Sequence, residues 1–195
     1  MQRRIRNRKR DIKKILRLAR NERTDLWSLD ECHFQQHGTR CRMWIPPEDK
    51  DPIVLQAPTR KSVALFGAVN TMTGKLVTML SPKFNAETFE IFLRRLLRHR
   101  KRSRKMVIII DNARYHHAKV LKPLLKKYHE VLRLDYLPPY SPDLNPIERV
   151  WKFLRKTCMH NQYFETLDEL IYAVESEMEV WKKPNNILYK LCGII

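Results

Sequence analysis

Residues 106–112 read MVIIIDN, an apolar and mostly β-branched run that ends abruptly at Asp111 and Asn112. Five apolar residues without alternation are typical of a strand buried on both faces of a parallel sheet. Helices must cover both faces of such a sheet. The stretch therefore predicts an α/β fold, and it puts an acid at the point where a buried strand ends.

The flanking sequence alternates between strand and helix patterns. The NTMTG loop at 70–74 predicts a hairpin, and Asn85 and Thr166 are expected N-caps of helices. Further strands are predicted at 25–30, 63–69, 75–80 and 131–136, and helices at 86–98, at 116–128 with a break at Pro123, from 146 or 147 onward, and at 166–181. A hairpin followed by strand–helix–strand units predicts a mixed sheet.

The length and composition fit one domain with a short appendage. The chain has 195 residues, of which 43% are hydrophobic, and it contains only 4 glycines, so it can bury a core without disulfides or metals as staples. No apolar run approaches the roughly 18 residues of a membrane span, and no apolar stretch of a secretory signal follows the charged N-terminus. We therefore expect a cytoplasmic, nucleoid-associated protein whose 4 cysteines are reduced.

Positive charge dominates the composition. The 39 Lys and Arg exceed the 21 Asp and Glu, for a net charge of +18, which favours a nucleic acid partner over a membrane surface. Residues 1–23 hold eleven of these cations, and residues 94–105 hold eight with no acid. Ile12, Ile15 and Ala19 also form a helical stripe. We expect residues 1–23 to be a basic amphipathic helical arm, followed by a domain over residues 24–195.

Three acids stand at the ends of predicted elements. Asp30 closes the first strand, Asp111 closes the most hydrophobic one, and Glu148 opens a helix after the proline-rich loop 137–146. If the strands that carry Asp30 and Asp111 are parallel neighbours, the two carboxylates emerge at the edge where open α/β sheets place their sites. A carboxylate there needs a cation, which is either a structural arginine or a divalent metal. Mg²⁺ and Mn²⁺ prefer carboxylate oxygens, and paired ions promote phosphodiester displacement.

Three segments around these acids are distinctive: LWSLDECHF, VIIIDNARYHHA and LDYLPPYSPDLNPIERVWKFLR. Over roughly residues 24–182 the chain resembles the catalytic domain of DDE transposases of the mariner-type superfamily, in particular the bacterial insertion-sequence branch. The resemblance implies an RNase H-like fold, with three antiparallel strands and then parallel ones. It also maps the metal-binding catalytic acids onto Asp30, Asp111 and Glu148.

The activity that the resemblance implies is cleavage of DNA strands at the ends of an insertion element, with two Mg²⁺ or Mn²⁺ ions, and strand transfer into target DNA. Double-stranded DNA is then the partner, as terminal inverted repeats and as target, and we expect a homodimer. Relatives place helix-turn-helix modules before this domain, so a separately encoded recognition part is expected, unless the chain is a truncated relic. The alternative is a non-catalytic DNA-binding remnant that acts as a repressor, against which the presence of all three acids argues.

Several polar residues are secondary candidates. Lys152 and Arg155 follow Glu148 by four and seven residues on one helical face and are expected to contact phosphate. Asn112 and Asn145 could orient a carboxylate or the substrate, although Asn145 fits the N-cap of the Glu148 helix better. The basic run contributes further candidates for contacts with flanking or target DNA: Arg94, Arg95, Arg98, Lys101 and Arg102.

The histidines and tryptophans allow two readings each. His116 and His117 could contact phosphate or a metal-bound water, but a structural role at a helix start is favoured. Trp151 and Trp181 lie on apolar helical stripes and are expected in the core.

Overall fold

The computed structural model describes residues 2–48, 53–139 and 141–194, and side chains from residue 10 onward, so the first nine side chains of the predicted arm and Ile195 lie outside the description. Within these residues the sheet has five strands in the order β3-β2-β1-β4-β5. The strands are β1 (Thr24–Gln35), β2 (Ser62–Asn70), β3 (Leu76–Ser81), β4 (Lys105–Ile110) and β5 (Leu132–Tyr136). β1 pairs antiparallel with β2, and β2 with β3, whereas β4 runs parallel to both β1 and β5. The predicted mixed α/β sheet is confirmed.

Helices cover both faces of the sheet. They are α1 (Gln2–Ala19), α2 (Ala86–Leu97), α3 (Lys122–Lys127), α4 (Ile147–Cys158), α5 (Leu167–Glu179) and α6 (Asn186–Cys192), with 3₁₀ turns at Arg114–His117, Lys119–Leu121 and Pro142–Leu144. Among the described helices, none is long and apolar enough to cross a membrane. Asn85 caps α2 and Thr166 caps α5 through their side chains, as predicted.

Alternate residues of β1 point to opposite faces of the sheet and so enter different parts of the core. Trp27 and Leu29 pack in the cluster under α2, whereas Phe34 packs in the cluster under α4, α5 and α6. The apolar side of α1 covers a third patch, where Ile15 and Ala19 are buried with β1 and β4 residues. Trp151 and Trp181 are core residues, as predicted.

Three predicted boundaries are wrong. β1 continues past Asp30 to Gln35, because residues 31–35 pair with β2 in antiparallel register. The helix predicted at 116–128 is two 3₁₀ turns followed by α3, since Pro123 is accepted only in the first turn of a helix. α5 ends at Glu179, and no periodic pattern predicted the short helix α6 that follows.

A glycine in β2 allows α4 to approach the sheet. Gly67 pairs with Asp30 across the β1–β2 ladder. A Cβ atom at Gly67 would lie 2.2 Å from Cη2 and 2.6 Å from Cζ2 of the Trp151 indole. Trp151 is 1% exposed, so the ring has little room to move away. The absence of a side chain at Gly67 therefore sets how closely α4 packs on the strand that carries Asp30.

We expect Gly67→Ala to lower the free energy of unfolding by about 1–3 kcal/mol, the usual cost of added volume in a packed core. Urea denaturation measures the change. In a Trp151→Phe background the clashing ring atoms are gone, so the same substitution should cost clearly less. Equal costs in the two backgrounds would contradict this account.

Candidate active site

Asp30 and Asp111 lie side by side because β1 and β4 are parallel neighbours. The last pair of their ladder is Ser28 with Ile109, and the same register carried two residues further sets Asp30 level with Asp111. Residues two apart in a strand share a face, so both carboxylates emerge on the face that α4 covers. The sheet edge thus brings together two acids that are 81 residues apart in the chain.

The start of α4 is fastened to β1, and this places Glu148 over the same edge. The backbone N–H of Ile147 donates to Ser28 Oγ at 3.0 Å. The amide Nδ2 of Asn145 donates to the carbonyl of Leu29 at 3.0 Å, and its Oδ1 accepts from the Ser28 hydroxyl. These bonds tie the first turn of α4, which carries Glu148, to the strand just before Asp30.

The favoured reading of Asn145 as a helix N-cap is wrong. The N-cap of α4 is Pro146, which makes no side-chain capping hydrogen bond. Ser28 of β1 accepts the first N–H instead, because α4 packs with its N-terminus directly on that strand. Asn145 is 4% exposed and acts as a link between the loop and β1.

The three acids share one cleft of about 380 Å³. Its lining consists of Asp30, Asp111, Asn112, Ala113, Leu137, Pro138, Pro139, Ser141, Asn145 and Glu148. The amide Nδ2 of Asn112 donates to the Leu137 carbonyl at 3.2 Å, and its Oδ1 lies 2.8 Å from His117 Nε2. Asn112 therefore joins two walls of the cleft, and its hydrogen bonds do not go to a carboxylate.

Asp30 is in an environment that disfavours its charge. Burial raises the pKa of Asp30 to about 8, and the neighbouring charges of Glu31 and Glu148 act in the same direction. The Trp151 indole Nε1 donates to Asp30 Oδ2 at 3.2 Å, which opposes the shift only in part. Without a cation, Asp30 holds a proton at neutral pH.

Asp111 is in the opposite situation. The hydrogen bond with His116 lowers the pKa of Asp111, and the backbone N–H of Ala113 adds to this effect. The Nδ1 atom of His116 lies 3.0 Å from Asp111 Oδ1, and Nε2 lies 3.1 Å from Glu31 Oε1. Burial disfavours a charged ring, but these two carboxylates outweigh it and raise the pKa of His116 to about 9.

The donor set of the cleft fits a hard divalent cation. The acids Asp30, Asp111 and Glu148 offer carboxylate oxygens, which Mg²⁺ and Mn²⁺ prefer, and the cleft is open to water and substrate. Burial, and then the charges of Glu31 and Glu148, raise the pKa of Asp30 and so disfavour its ionised form. Binding of a cation would remove this penalty.

Sequence reasoning missed the neighbours that hold the acids. Trp151 follows Glu148 by three residues, and this spacing could have indicated a contact with the site as well as a core role. Ser28 shares a strand face with Asp30, and this was also readable from the sequence. Glu31 and His116 could not have been paired, because the 3₁₀ turn that returns His116 to the sheet has no sequence pattern of its own.

Of the basic residues predicted near Glu148, Lys152 is exposed, whereas Arg155 is engaged by the protein itself. The Nη2 group of Arg155 donates to Cys32 Sγ at 2.8 Å, and its guanidinium lies 5.3 Å from the Phe34 ring centroid. Contact of either residue with DNA stays a prediction.

The basic run 94–105 lies at the end of β4 opposite Asp111. Arg98, Lys101 and Arg102 are exposed there. Arg94 is paired with Glu90 at 2.6 Å on the surface of α2, and Arg95 lines a cleft with residues of β3 and α5. Arg98, Lys101 and Arg102 therefore face solvent at the end of the domain away from the acids.

Comparison with known proteins identifies relatives of this chain. The family described as DDE superfamily endonuclease matches residues 25–171. An uncharacterized protein of Sinorhizobium fredii is 33% identical over 107 residues, 55% of this chain and 76% of that protein. The insertion element IS630 39 kDa protein of Shigella sonnei is 30% identical over 115 residues, 59% of this chain and 33% of that protein. The transposable element Tc3 transposase of Caenorhabditis elegans is 29% identical over 191 residues, 91% of this chain and 56% of that protein.

Solved structures share the fold. The Mos1 transposase in a paired-end complex with the left transposon end superimposes with a TM-score of 0.68 and 21% identity, over 95% of this chain and 56% of that chain. The catalytic core domain of BIV integrase superimposes with a TM-score of 0.51 and 17% identity, over 86% of this chain and 93% of that chain. The predicted RNase H-like fold is confirmed. The chain spans about half the length of the two transposases.

The pKa of Asp30 predicts how stability depends on pH. Without metal, the folded state keeps this proton up to about pH 8, whereas the unfolded chain loses it near about pH 4. The free energy of unfolding should therefore fall as the pH rises through this window. The free energy of unfolding of Asp30→Asn, relative to that of the parent, should therefore rise by about 0.5–1 kcal/mol per pH unit between pH 5 and 7. A fully shifted group would give roughly 1.4 kcal/mol per pH unit, and the value is lower here because the side chain is partly open to the cleft.

Urea denaturation with a chelator present, at pH 5, 6 and 7, measures this difference. A stability difference between Asp30→Asn and the parent that does not change with pH would show that Asp30 is ionised in the folded protein.

Proposed function

The chain belongs to the DDE superfamily endonucleases, and we propose that it is the catalytic part of a DNA transposase. Its reaction is cleavage of DNA strands at the ends of an insertion element, followed by joining of the freed 3′-hydroxyl to target DNA. The observation that carries the proposal is the single cleft in which Asp30, Asp111 and Glu148 meet, in a chain whose net charge is +18. Cations across the surface attract DNA, and the acids collect where a phosphodiester could react.

We propose that Asp30, Asp111 and Glu148 hold Mg²⁺ or Mn²⁺, as two ions. The Mos1 transposase is described in paired-end complexes with Mn and with Mg, which supports the choice of metal. Bound ions of this class supply Lewis-acid activation of a water or hydroxyl and stabilise charge on the phosphate. Asp30 releases its proton when the site is loaded, since a cation removes the cost of ionising it.

The residues around the acids hold them in position. Trp151 donates to Asp30, and Gly67 allows it to reach that far. The Ser28–Asn145 link fixes the first turn of α4, so Glu148 stays over the strand ends without help from a ligand. This rigidity matters because catalytic groups must be held close to the reacting geometry.

We propose that residues 1–23 form a basic arm against a catalytic domain of residues 24–195, and that the arm holds the duplex near the element end. The apolar side of α1 packs with Leu137 and Leu144, and both belong to the proline-rich loop that forms one wall of the cleft. Its exposed cations Arg10, Lys13 and Arg17 line a cleft of their own on α1. Arg98, Lys101 and Arg102 contact flanking or target DNA further from the cut.

Recognition of the terminal inverted repeats is proposed to come from a separately encoded helix-turn-helix part, and the working unit to be a homodimer. The Mos1 transposase is described in paired-end and strand-transfer complexes, which supports two copies acting on two ends. Size-exclusion chromatography with light scattering, with and without DNA of the element ends, tests the dimer.

We expect Asp111→Asn to abolish Mn²⁺-dependent cleavage of a supercoiled plasmid that carries the DNA flanking the gene, because the variant loses a metal-binding charge. DNA binding, measured by gel shift, should persist, since the net charge becomes one unit more positive. Asp168→Asn changes the charge equally at an exposed position in the first turn of α5 and should leave cleavage intact. Undiminished cleavage by Asp111→Asn rejects the assignment, and a parent that binds DNA but never cleaves it indicates the repressor alternative.

We expect replacement of Arg98, Lys101, Arg102 and Arg104 by Gln to weaken binding to all DNA sequences and to reduce the salt dependence by about 3 units of slope, because each phosphate contact releases counterions. Fluorescence anisotropy between about 50 and 200 mM salt measures both. A control with the same charge loss replaces Lys156 of α4, Lys182 and Lys183 after α5, and Lys190 of α6. If both variants keep the parental slope, the run serves only solubility.

A further inference from the structure

Glu31 and His116 are polar residues that lie beside Asp111 but are not among the proposed ligands. The side chain of Glu31 is 11% exposed, and that of His116 is fully buried. Glu31 follows Asp30 in β1, so its side chain leaves the strand on the opposite face, which α2 covers. A buried carboxylate costs free energy unless it is paired, and an apolar residue would fill this space at lower cost. Packing alone therefore does not explain why Glu31 and His116 occupy this position.

The imidazole of His116 connects the two faces at the end of the sheet. Its Nε2 lies 3.1 Å from Glu31 Oε1, and its Nδ1 lies 3.0 Å from Asp111 Oδ1. The ring packs against Phe89, at 4.4 Å between centroids, and Tyr115, at 4.3 Å. Because His116 is fully buried against these two rings, the direction in which it presents its two nitrogens is restricted.

Both ends of this connection are held as well. At one end, the Glu31 carboxylate lies close to Tyr115, and its charge contributes, after burial, to raising the pKa of Tyr115. At the other end, Asp111 Oδ1 accepts from the backbone N–H of Ala113 at 3.0 Å in addition to His116. Two donors thus converge on one oxygen of Asp111, and the other oxygen, Oδ2, is left for the cleft.

We propose that Glu31 and His116 are positioning residues that fix the rotamer of Asp111, so that Oδ2 is presented to the divalent ion before the ion arrives. The inference rests on the proposed function, because it takes Asp111 as a metal ligand. Glu31 orients His116, and His116 orients Asp111. This arrangement increases the affinity for the metal ion, because a carboxylate that is already ordered loses less conformational freedom on binding. Mutation of the residues that orient metal ligands typically lowers metal affinity by about 10–100-fold.

The affinity of the full chain for Mn²⁺ in the absence of DNA tests the positioning role. Electron paramagnetic resonance of the free ion measures this affinity. Glu31→Gln keeps the shape of the side chain but removes its charge, and we expect about tenfold weaker binding. His116→Ala should bind Mn²⁺ more weakly still. His116→Asn places an amide nitrogen where Nδ1 was and should recover most of the affinity. His129→Ala, an exposed histidine bonded to the Lys126 carbonyl, should match the parent.

A second measurement separates positioning from a merely structural role. With a supercoiled plasmid as substrate, Glu31→Gln should require about tenfold more Mn²⁺ for half-maximal nicking, yet reach a rate near that of the parent at saturating metal. Loss of packing alone would instead lower the melting temperature and reduce nicking at every metal concentration. If His116→Ala fails to fold, Glu31→Gln, which preserves the volume of the side chain, carries the test.

Parental Mn²⁺ affinity in both Glu31→Gln and His116→Ala overturns the positioning role. Loss of one bound ion per chain in Glu31→Gln also overturns it, because Glu31 would then be a ligand in its own right, in a group whose ligand atoms lie within 4.8 Å of one another. Asp111→Asn separates a failure of the metal assignment from a failure of the positioning role. If that variant binds Mn²⁺ as the parent does, the metal assignment of the proposed function fails, whatever the behaviour of Glu31.

Discussion

Parallel pairing of β1 with β4 is the constraint on which the site depends. It sets Asp30 level with Asp111 two residues beyond the last ladder pair, on one face of the sheet. A slip of one residue would turn one carboxylate to the opposite face, because strand side chains alternate. The register is secured by the apolar core on both sides of β4, whose residues Met106–Ile110 are all buried. Core packing and the placement of the two acids are therefore specified by the same contacts.

Charge is organised on two scales in this molecule. Over the whole chain a net charge of +18 suits a polyanion, and the cost is self-repulsion. Within the cleft the balance is reversed: burial and neighbouring acids raise the pKa of Asp30, whereas His116 lowers the pKa of Asp111. One carboxylate thus favours its neutral form, and the other favours its charged form. This division follows from the neighbours of each acid: Asp30 is buried beside Glu31 and Glu148, whereas Asp111 is bonded to His116 and to the Ala113 N–H.

The sequence by itself determined the fold class and the three acids. The continuous apolar run before Asp111 requires a strand covered on both faces, and the hairpin and the capped helices follow from local turn and capping chemistry. The acids could be found because each stands where an apolar pattern stops, and because the surrounding segments resemble a known family. Where periodicity was strong, as in α2 and β4, the boundaries agree within a residue or two. Where Pro123 interrupted it, they do not.

Only the tertiary structure decided how the acids are held. Ser28 as the cap of α4, Trp151 on Asp30, and His116 between Asp111 and Glu31 join residues that are far apart in the chain. No local pattern encodes such contacts, because a hydrogen bond across the sheet depends on how closely two elements pack. The same holds for the length of β1, whose last five residues are a strand only because β2 is beside them. Sequence patterns specify which faces are apolar, and packing specifies which polar atoms then meet.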